Sequence, residues 1–157
     1  MNADRHGSTI EDAYAYRIHR TNRLLSTHLA RFLAGRSSEL TPEKFFILMK
    51  LHEAGPLPQN ALIDVTLGDG PNVSRLVERL VVSGLVERAE DPNDRRARVL
   101  ELTAEGSALA RRLADDVVDE RRVVFAGVSE HDLDTLGAVL DRLDANLRPS
   151  LDVESGR

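Results

Sequence analysis

The sequence predicts a mainly α fold with six helices and one β-hairpin. Two observations predict the helices: apolar residues recur at every third or fourth position along most of the 157 residues, and glycine or proline separates the periodic segments. A third observation predicts the hairpin: between residues 85 and 102 the apolar period changes to about two, which is the period of a strand.

The first two helices have recognisable signals at their ends. The first covers residues 8–34, beginning with a Ser-x-x-Glu capping box and ending before Gly35. The second begins after Thr41, a favourable N-cap, with Pro42 in its first turn. Residues 45–51 are apolar on nearly every side, so we expect the second helix to be central and buried.

The next two helices are short, and a glycine-containing turn separates them. The third covers residues 58–67, the turn residues 68–71, and the fourth helix residues 72–83, before Gly84. The fourth helix is apolar on one side, and its other side carries Asn72, Ser74, Arg75, Glu78 and Arg79.

A β-hairpin follows, formed by residues 85–88 and 98–102 with a long polar tip between them. The tip contains Asp94, Arg95 and Arg96. A short helix, a turn, a second helix with a polar outer side and a hairpin together make a winged helix-turn-helix.

Two further helices complete the chain, the fifth capped by Thr103 and the sixth by Ser129. Leucines in the sixth helix step by three and four residues, which is the spacing of a two-helix seam, either within one chain or between two copies. They are Leu133, Leu136, Leu140, Leu143 and Leu147. We expect residues 149–157 to form a flexible tail.

The polar residues of the winged unit suit the grooves of double-stranded DNA. A helix about 10–12 Å across fits a major groove about 12 Å wide. Arg can bind guanine, Asn can bind adenine, and an Arg at a hairpin tip suits the negative potential of a narrow minor groove. The residues predicted to contact DNA are Asn72, Ser74, Arg75, Arg79, Asp94, Arg95, Arg96 and Arg98, with Asp94 bracing a neighbouring guanidinium.

The net negative charge of the chain opposes binding to DNA, which is also negatively charged. The net charge is −5, and residues 70–98 contain six arginines and five carboxylates. Because phosphate binding depends on cations, we expect these arginines to face the DNA and the carboxylates to face away.

Other classes of function have no signal in the sequence. There is no cysteine, which excludes disulfides, thiolate metal sites and thiol catalysis. The five histidines have no metal-binding spacing, and no phosphate-binding glycine loop or nucleophile elbow occurs. No apolar run approaches the ~18 residues of a membrane span, and the N-terminus lacks a signal peptide's apolar stretch. We expect a cytoplasmic protein that is not an enzyme and uses no cofactor or metal.

Residues from about 10 to 147 resemble the MarR (multiple antibiotic resistance regulator) family. The sharpest match is Asp-Pro-Asn-Asp-Arg-Arg at residues 91–96, followed by Leu102 and Thr103. Residues 40–51 resemble the family's second helix, and residues 71–88 its recognition helix and first wing strand. The turn before the fourth helix departs from the family's usual sequence, so no base preference is carried over.

This resemblance implies a homodimeric transcriptional regulator that binds a pseudo-palindromic operator in double-stranded DNA. It further implies a repressor that a small organic effector, phenolic or anionic, releases from the operator. Residues 8–36 and 104–148 would form the helical dimerisation lobe and residues 40–103 the DNA-binding lobe. The family's Asp-x-Arg pair corresponds to Asp94 and Arg96, which assigns Arg96 to the minor groove. The polar groups available to an effector between the lobes are Tyr14, Arg17, His19, Arg23 and His52.

Two alternatives remain open at this point. A winged helix-turn-helix can be a protein-interaction module without DNA binding, which a flat salt dependence of binding would favour. A small enzyme is the other, although the sequence shows no nucleophile, metal cluster or cofactor loop for one.

Overall fold

A computed structural model describes residues 13–37, 39–66, 70–91 and 97–152. Helix α1 comprises Tyr14–Ala34 and α2 Pro42–Ala54, and a 3₁₀ turn, Gln59–Leu62, leads into α3, Ile63–Thr66. Helix α4 comprises Gly70–Val82, α5 Ala104–Val124 and α6 Glu130–Asp152. Strands β1, Val86–Glu90, and β2, Arg98–Leu102, pair antiparallel between α4 and α5. The predicted mainly α fold with one hairpin is confirmed.

The chain divides into two compact units, one extending to Ala114 and the other beginning at Asp115. The first unit contains an aliphatic core to which α1, α2, the 3₁₀ turn, α4, β2 and α5 all contribute. Its largest fully buried side chains include Leu33, Ile47, Leu48, Leu62, Leu80, Leu100 and Leu113. Helix α2 is central, as predicted, although its Phe46 is 42% exposed.

The second unit comprises the end of α5 and α6, and it has no core of its own. No side chain described between residues 115 and 149 is buried. Its exposed apolar residues include Leu136, Val139, Leu140, Leu143 and Leu147 in α6. These include four of the five leucines of the predicted seam.

Local capping chemistry explains where the predicted helices begin. The backbone N–H of Lys44 donates to Thr41 Oγ1 (3.4 Å), and that of Asp132 donates to Ser129 Oγ (3.1 Å). Each bond satisfies a backbone donor that has no partner within the helix. The capping box predicted for the first helix lies outside the described residues.

The start of α5 is fixed against the start of the hairpin. Thr103 Oγ1 donates to the carbonyl of Gly84 (2.6 Å) and accepts from the N–H of Gly106 (3.0 Å). A Cβ added at Gly106 would lie 1.9 Å from the carbonyl oxygen of Leu85, so only glycine allows this approach. Gly84 itself has φ 72°, a left-handed conformation that glycine adopts without strain.

Element boundaries differ from the predictions in several places. Helix α1 begins at Tyr14, after Ala13 in an extended conformation, and α4 begins at Gly70, inside the predicted turn. The third predicted helix is a 3₁₀ turn followed by one turn of α-helix. Strand β1 runs two residues beyond Arg88, because Ala89 and Glu90 pair with Val99 and Arg98. Helix α6 passes Pro149 and continues to Asp152, where the sequence predicts a flexible tail; residues 153–157 lie outside the described part of the chain.

Candidate nucleic-acid interface

Helix α4 presents its polar side chains outward from the core of the first unit. Val73, Leu76, Val77 and Leu80 are buried along one side of the helix. Ser74, Arg75 and Arg79 are exposed, and Asn72 is half-buried. The helical period therefore separates the residues that pack the core from those that the sequence predicts to contact DNA.

The hairpin is held beside the segment that precedes the 3₁₀ turn. Leu57 and Leu100 form an isolated antiparallel bridge, in which Leu57 N donates to Leu100 O (3.0 Å) and Leu100 N donates to Leu57 O (2.8 Å). This bridge places Gln59, two residues further along the chain, close to the hairpin.

A polar network then joins the 3₁₀ turn, α4 and β1 on the exposed side. Gln59 Nε2 donates to Ser74 Oγ at 2.7 Å, and Arg88 Nη1 donates to Gln59 Oε1 at 3.3 Å. Arg88 Nη2 also lies 3.8 Å from Glu78 Oε2. We call these four residues the Gln59 network.

Gln59 and Arg88 are not among the residues that the sequence predicts to be functional. Their contacts join residues 15 and 29 positions apart, so no helical or strand period connects them. The one feature of the sequence that could have indicated this network is the polar side chain of Gln59, which follows the segment that pairs with the hairpin.

The arginines and carboxylates of this surface are not separated in the way that we expected from the sequence. Glu78 lies beside Arg88, and Arg98 Nη1 is 3.9 Å from Glu90 Oε1 on the paired strand. Glu78 and Glu90 therefore share the surface with the arginines and do not face away from it. Because both ion pairs are exposed, each is weak, and its arginine can exchange the carboxylate for another anion.

Three of the predicted DNA-binding residues belong to the hairpin tip. Asp94, Arg95 and Arg96 of the hairpin tip lie outside the described residues. Arg98, at the start of β2, is exposed beside Glu90.

The residues predicted to bind an effector are all exposed. Tyr14 and Arg17 lie three residues apart on one side of α1, and His19 and Arg23 lie four apart on another side. His52 is in the last turn of α2. One subunit therefore does not direct all four α1 side chains towards a single site.

The first unit contains a cavity of about 230 Å³ whose lining includes none of these five residues. The cavity lies between the end of α1, the start of α2, the end of α4 and the start of α5. Its charged lining residues are Arg36, Glu39, Lys44, Glu105 and Arg112.

Neither a metal site nor a membrane span is found in the described part of the chain. No group of three or more His, Asp or Glu side chains within it could hold a metal ion. None of its helices is both long enough and apolar enough to cross a membrane.

Known proteins are similar to this chain in sequence. A sequence model of the MarR family matches residues 38–97. The chain is 41% identical over 71 residues to the HTH-type transcriptional repressor NicR of Pseudomonas putida, a match covering 45% of this chain and 45% of NicR. It is 30% identical over 105 residues to the transcriptional regulator HosA of Escherichia coli O111:H-, covering 65% of this chain and 77% of HosA.

The fold is also similar to a solved structure. A MarR family transcriptional regulator from Silicibacter pomeroyi DSS is 25% identical, with a TM-score of 0.74. The match covers 85% of this chain and 89% of that one. The chain thus spans less than half of NicR but most of the other two proteins.

Proposed function

Because the chain belongs to the MarR family of transcriptional regulators, we propose that it binds double-stranded DNA as a homodimer and represses transcription until a small organic effector releases it. The observation that carries this proposal is the exposed side of α4, which carries Ser74, Arg75 and Arg79 and whose Glu78 lies 3.8 Å from Arg88 of the hairpin. The proposed role is cytoplasmic and regulatory, and it includes no catalytic step.

The geometry of a groove-binding helix supports this assignment. Each subunit would insert α4 into the major groove and the hairpin tip into the adjacent minor groove. Arg75 and Arg79 are exposed on the outer side of α4, where they can reach base edges or phosphates. Arg98 is available to the DNA backbone once it leaves Glu90.

The exposed apolar residues of the second unit support a homodimer. Leu136, Leu140, Leu143 and Leu147 follow the predicted seam and are between 37% and 58% exposed. An apolar stripe of this kind is typical of an interface, and a second copy presents an identical stripe, as a two-fold symmetric dimer requires.

Selection from a randomised duplex library tests the proposal. The purified protein should enrich a pseudo-palindromic sequence whose half-site centres lie roughly 34–36 Å apart, about one turn of DNA. A folded, dimeric sample that enriches no sequence at moderate salt contradicts the proposal.

Arg96 should be one of the residues that bind the selected duplex. Arg96→Ala should weaken binding by about 1–3 kcal/mol, as expected for an arginine inserted into a groove. Arg142→Ala in α6 removes the same charge and should leave the affinity nearly unchanged. Equal affinities of wild type and Arg96→Ala, measured by fluorescence anisotropy, contradict this role.

The alternative, a protein-interaction module without DNA binding, predicts a different salt response. A DNA-binding dimer should lose about a hundredfold or more in affinity between roughly 50 and 200 mM salt, because bound arginines displace counterions from the phosphates. Weak binding to DNA that does not change with salt would favour the alternative.

The effector is proposed as a phenol or an aromatic carboxylate, with Tyr14, Arg17, His19, Arg23 and His52 as its candidate contacts. A panel of such compounds should contain at least one that releases the selected duplex and raises the melting temperature of the free protein. A panel without any such compound counts against ligand control, and it leaves the DNA-binding proposal intact.

A further inference from the structure

The hydrogen bonds of the Gln59 network run in one direction. A guanidinium group has donors only, so Arg88 must face the carbonyl oxygen of Gln59, 3.3 Å away. This fixes the orientation of the amide, and its nitrogen then donates to Ser74 Oγ at 2.7 Å. Donation therefore passes from Arg88 through Gln59 to Ser74.

This direction of donation leaves the hydroxyl proton of Ser74 available to an outside acceptor. Its oxygen already accepts from Gln59, and within the described residues Ser74 donates no hydrogen bond of its own. A serine inside a helix commonly donates to the carbonyl four residues earlier, and here that bond is not made. An exposed hydroxyl proton is thus left on the outer side of α4.

We propose that Gln59 is a positioning residue for DNA recognition, which prepares Ser74 to donate its proton to an acceptor atom of the DNA. The inference rests on the proposed function. Accepting from the amide polarises the Ser74 hydroxyl and strengthens it as a donor. The positive charge of Arg88 acts in the same sense, although Glu78, 3.8 Å from Arg88, partly neutralises it.

This arrangement gives Ser74 a preference that a free serine lacks. A serine hydroxyl can bond to donors or acceptors on the base edges. In the major groove the acceptors are guanine N7 and O6, adenine N7 and thymine O4, whereas the cytosine amino group is a donor. A Ser74 that donates would bind an acceptor of this set, or a phosphate oxygen, and would bind a cytosine amino group poorly.

The test uses a duplex selected by the wild-type protein and a scrambled duplex of the same composition. Gln59→Met keeps the length of the side chain and removes both hydrogen bonds, and Ser74→Ala removes the hydroxyl. Each should weaken binding to the selected duplex by about three- to tenfold. The double variant should lose little more than Ser74→Ala alone, because both changes disable one interaction.

Ser83→Ala, directly after the end of α4, is the matched control. Its hydroxyl donates to the carbonyl of Leu80 (3.1 Å), so its loss should leave DNA affinity unchanged. Thermal melts of all variants distinguish a loss of positioning from a loss of folding. Wild-type affinity in Gln59→Met, or additive losses in the double variant, would overturn the inference while the proposed function stands.

Modified duplexes then identify the acceptor with the wild-type protein itself. One arm deletes base acceptors singly, with 7-deazapurines for N7, 2-aminopurine in place of guanine for O6, and 5-methyl-2-pyrimidinone in place of thymine for O4. A second arm replaces single phosphates by methylphosphonates. At one position, the modification should weaken binding of the wild-type protein and leave the affinity of Ser74→Ala unchanged. If that position is a base, Ser74 contacts a base; if it is a phosphate, Ser74 contacts the backbone. If no position behaves in this way, the inference is wrong. A wild-type protein that enriches no duplex overturns both the inference and the proposed function.

Discussion

Gly106 occupies a position that no larger side chain fits. A Cβ there would lie 1.9 Å from Leu85 O and 2.8 Å from Leu85 C, and both atoms belong to the backbone. We predict that Gly106→Ala lowers the free energy of unfolding by about 1–3 kcal/mol, the usual cost of overpacking. Urea denaturation at one fixed protein concentration measures the change.

Gly137 in α6 is the matched control, because a Cβ added there meets no atom within 4 Å. Gly137→Ala should be neutral or should stabilise by up to about 1 kcal/mol through helix propensity. Equal changes in the free energy of unfolding for the two substitutions would show that the close approach of Leu85 does not restrict residue 106 to glycine.

Glu90 should weaken DNA binding through its effect on Arg98. The two side chains lie 3.9 Å apart and are about equally exposed, so a phosphate has to compete with the carboxylate for the guanidinium. We predict that Glu90→Gln raises DNA affinity roughly two- to fivefold at low salt. Glu53→Gln removes the same charge from the exposed side of α2, and an equal gain from it would indicate a long-range charge effect.

Thr103 joins two elements, since its hydroxyl caps α5 and bonds the turn before β1. Thr103→Ala removes both the bond to Gly84 O and the bond from Gly106 N. The free energy of unfolding should fall by about 1–2 kcal/mol, as for other lost N-caps. Thr103→Ser retains the hydroxyl and should recover most of the loss in the same denaturation experiment; equal stabilities of the two variants would contradict the capping role.

The elements that the sequence predicts well are those whose ends are decided by neighbouring residues. Thr41, Thr103 and Ser129 each cap a backbone N–H three positions away, so a window of four residues is enough to predict them. The same locality explains why Gly84, with its positive φ, marks the end of α4 correctly.

Contacts between distant residues were not predictable in this way. Strand β1 extends to Glu90 because β2 pairs with it there, and its own period does not show that pairing. The Gln59 network depends on the bridge between Leu57 and Leu100, which brings together segments more than forty residues apart. The exposed side chains of α4 were predictable from the helical period alone, whereas the contact of Ser74 with Gln59 was not.

The net charge of the molecule and the local charges of its DNA-binding surface have different effects on binding. A net charge of −5 opposes contact with DNA at long range, and the interface contributes carboxylates as well as arginines. In the proposed complex, binding would therefore depend on short-range contacts in the grooves, which an arginine makes only when α4 and the hairpin are correctly seated. A homodimer doubles these contacts, so dimerisation and DNA binding should fail together.

This coupling can be tested at Leu140, which is 43% exposed in the middle of the predicted seam. Burying a leucine stabilises by about 1.5–3 kcal/mol, and a symmetric interface contains the residue twice. Leu140→Asp should therefore raise the dimer dissociation constant by about a hundredfold or more. Sedimentation equilibrium measures that constant, and the affinity for the selected duplex should fall in the same variant.

Ala138→Asp adds the same charge on another side of α6, and it should leave both quantities near their wild-type values. If both variants dimerise equally well, the seam is not the interface, and the exposed leucines of α6 require a different partner.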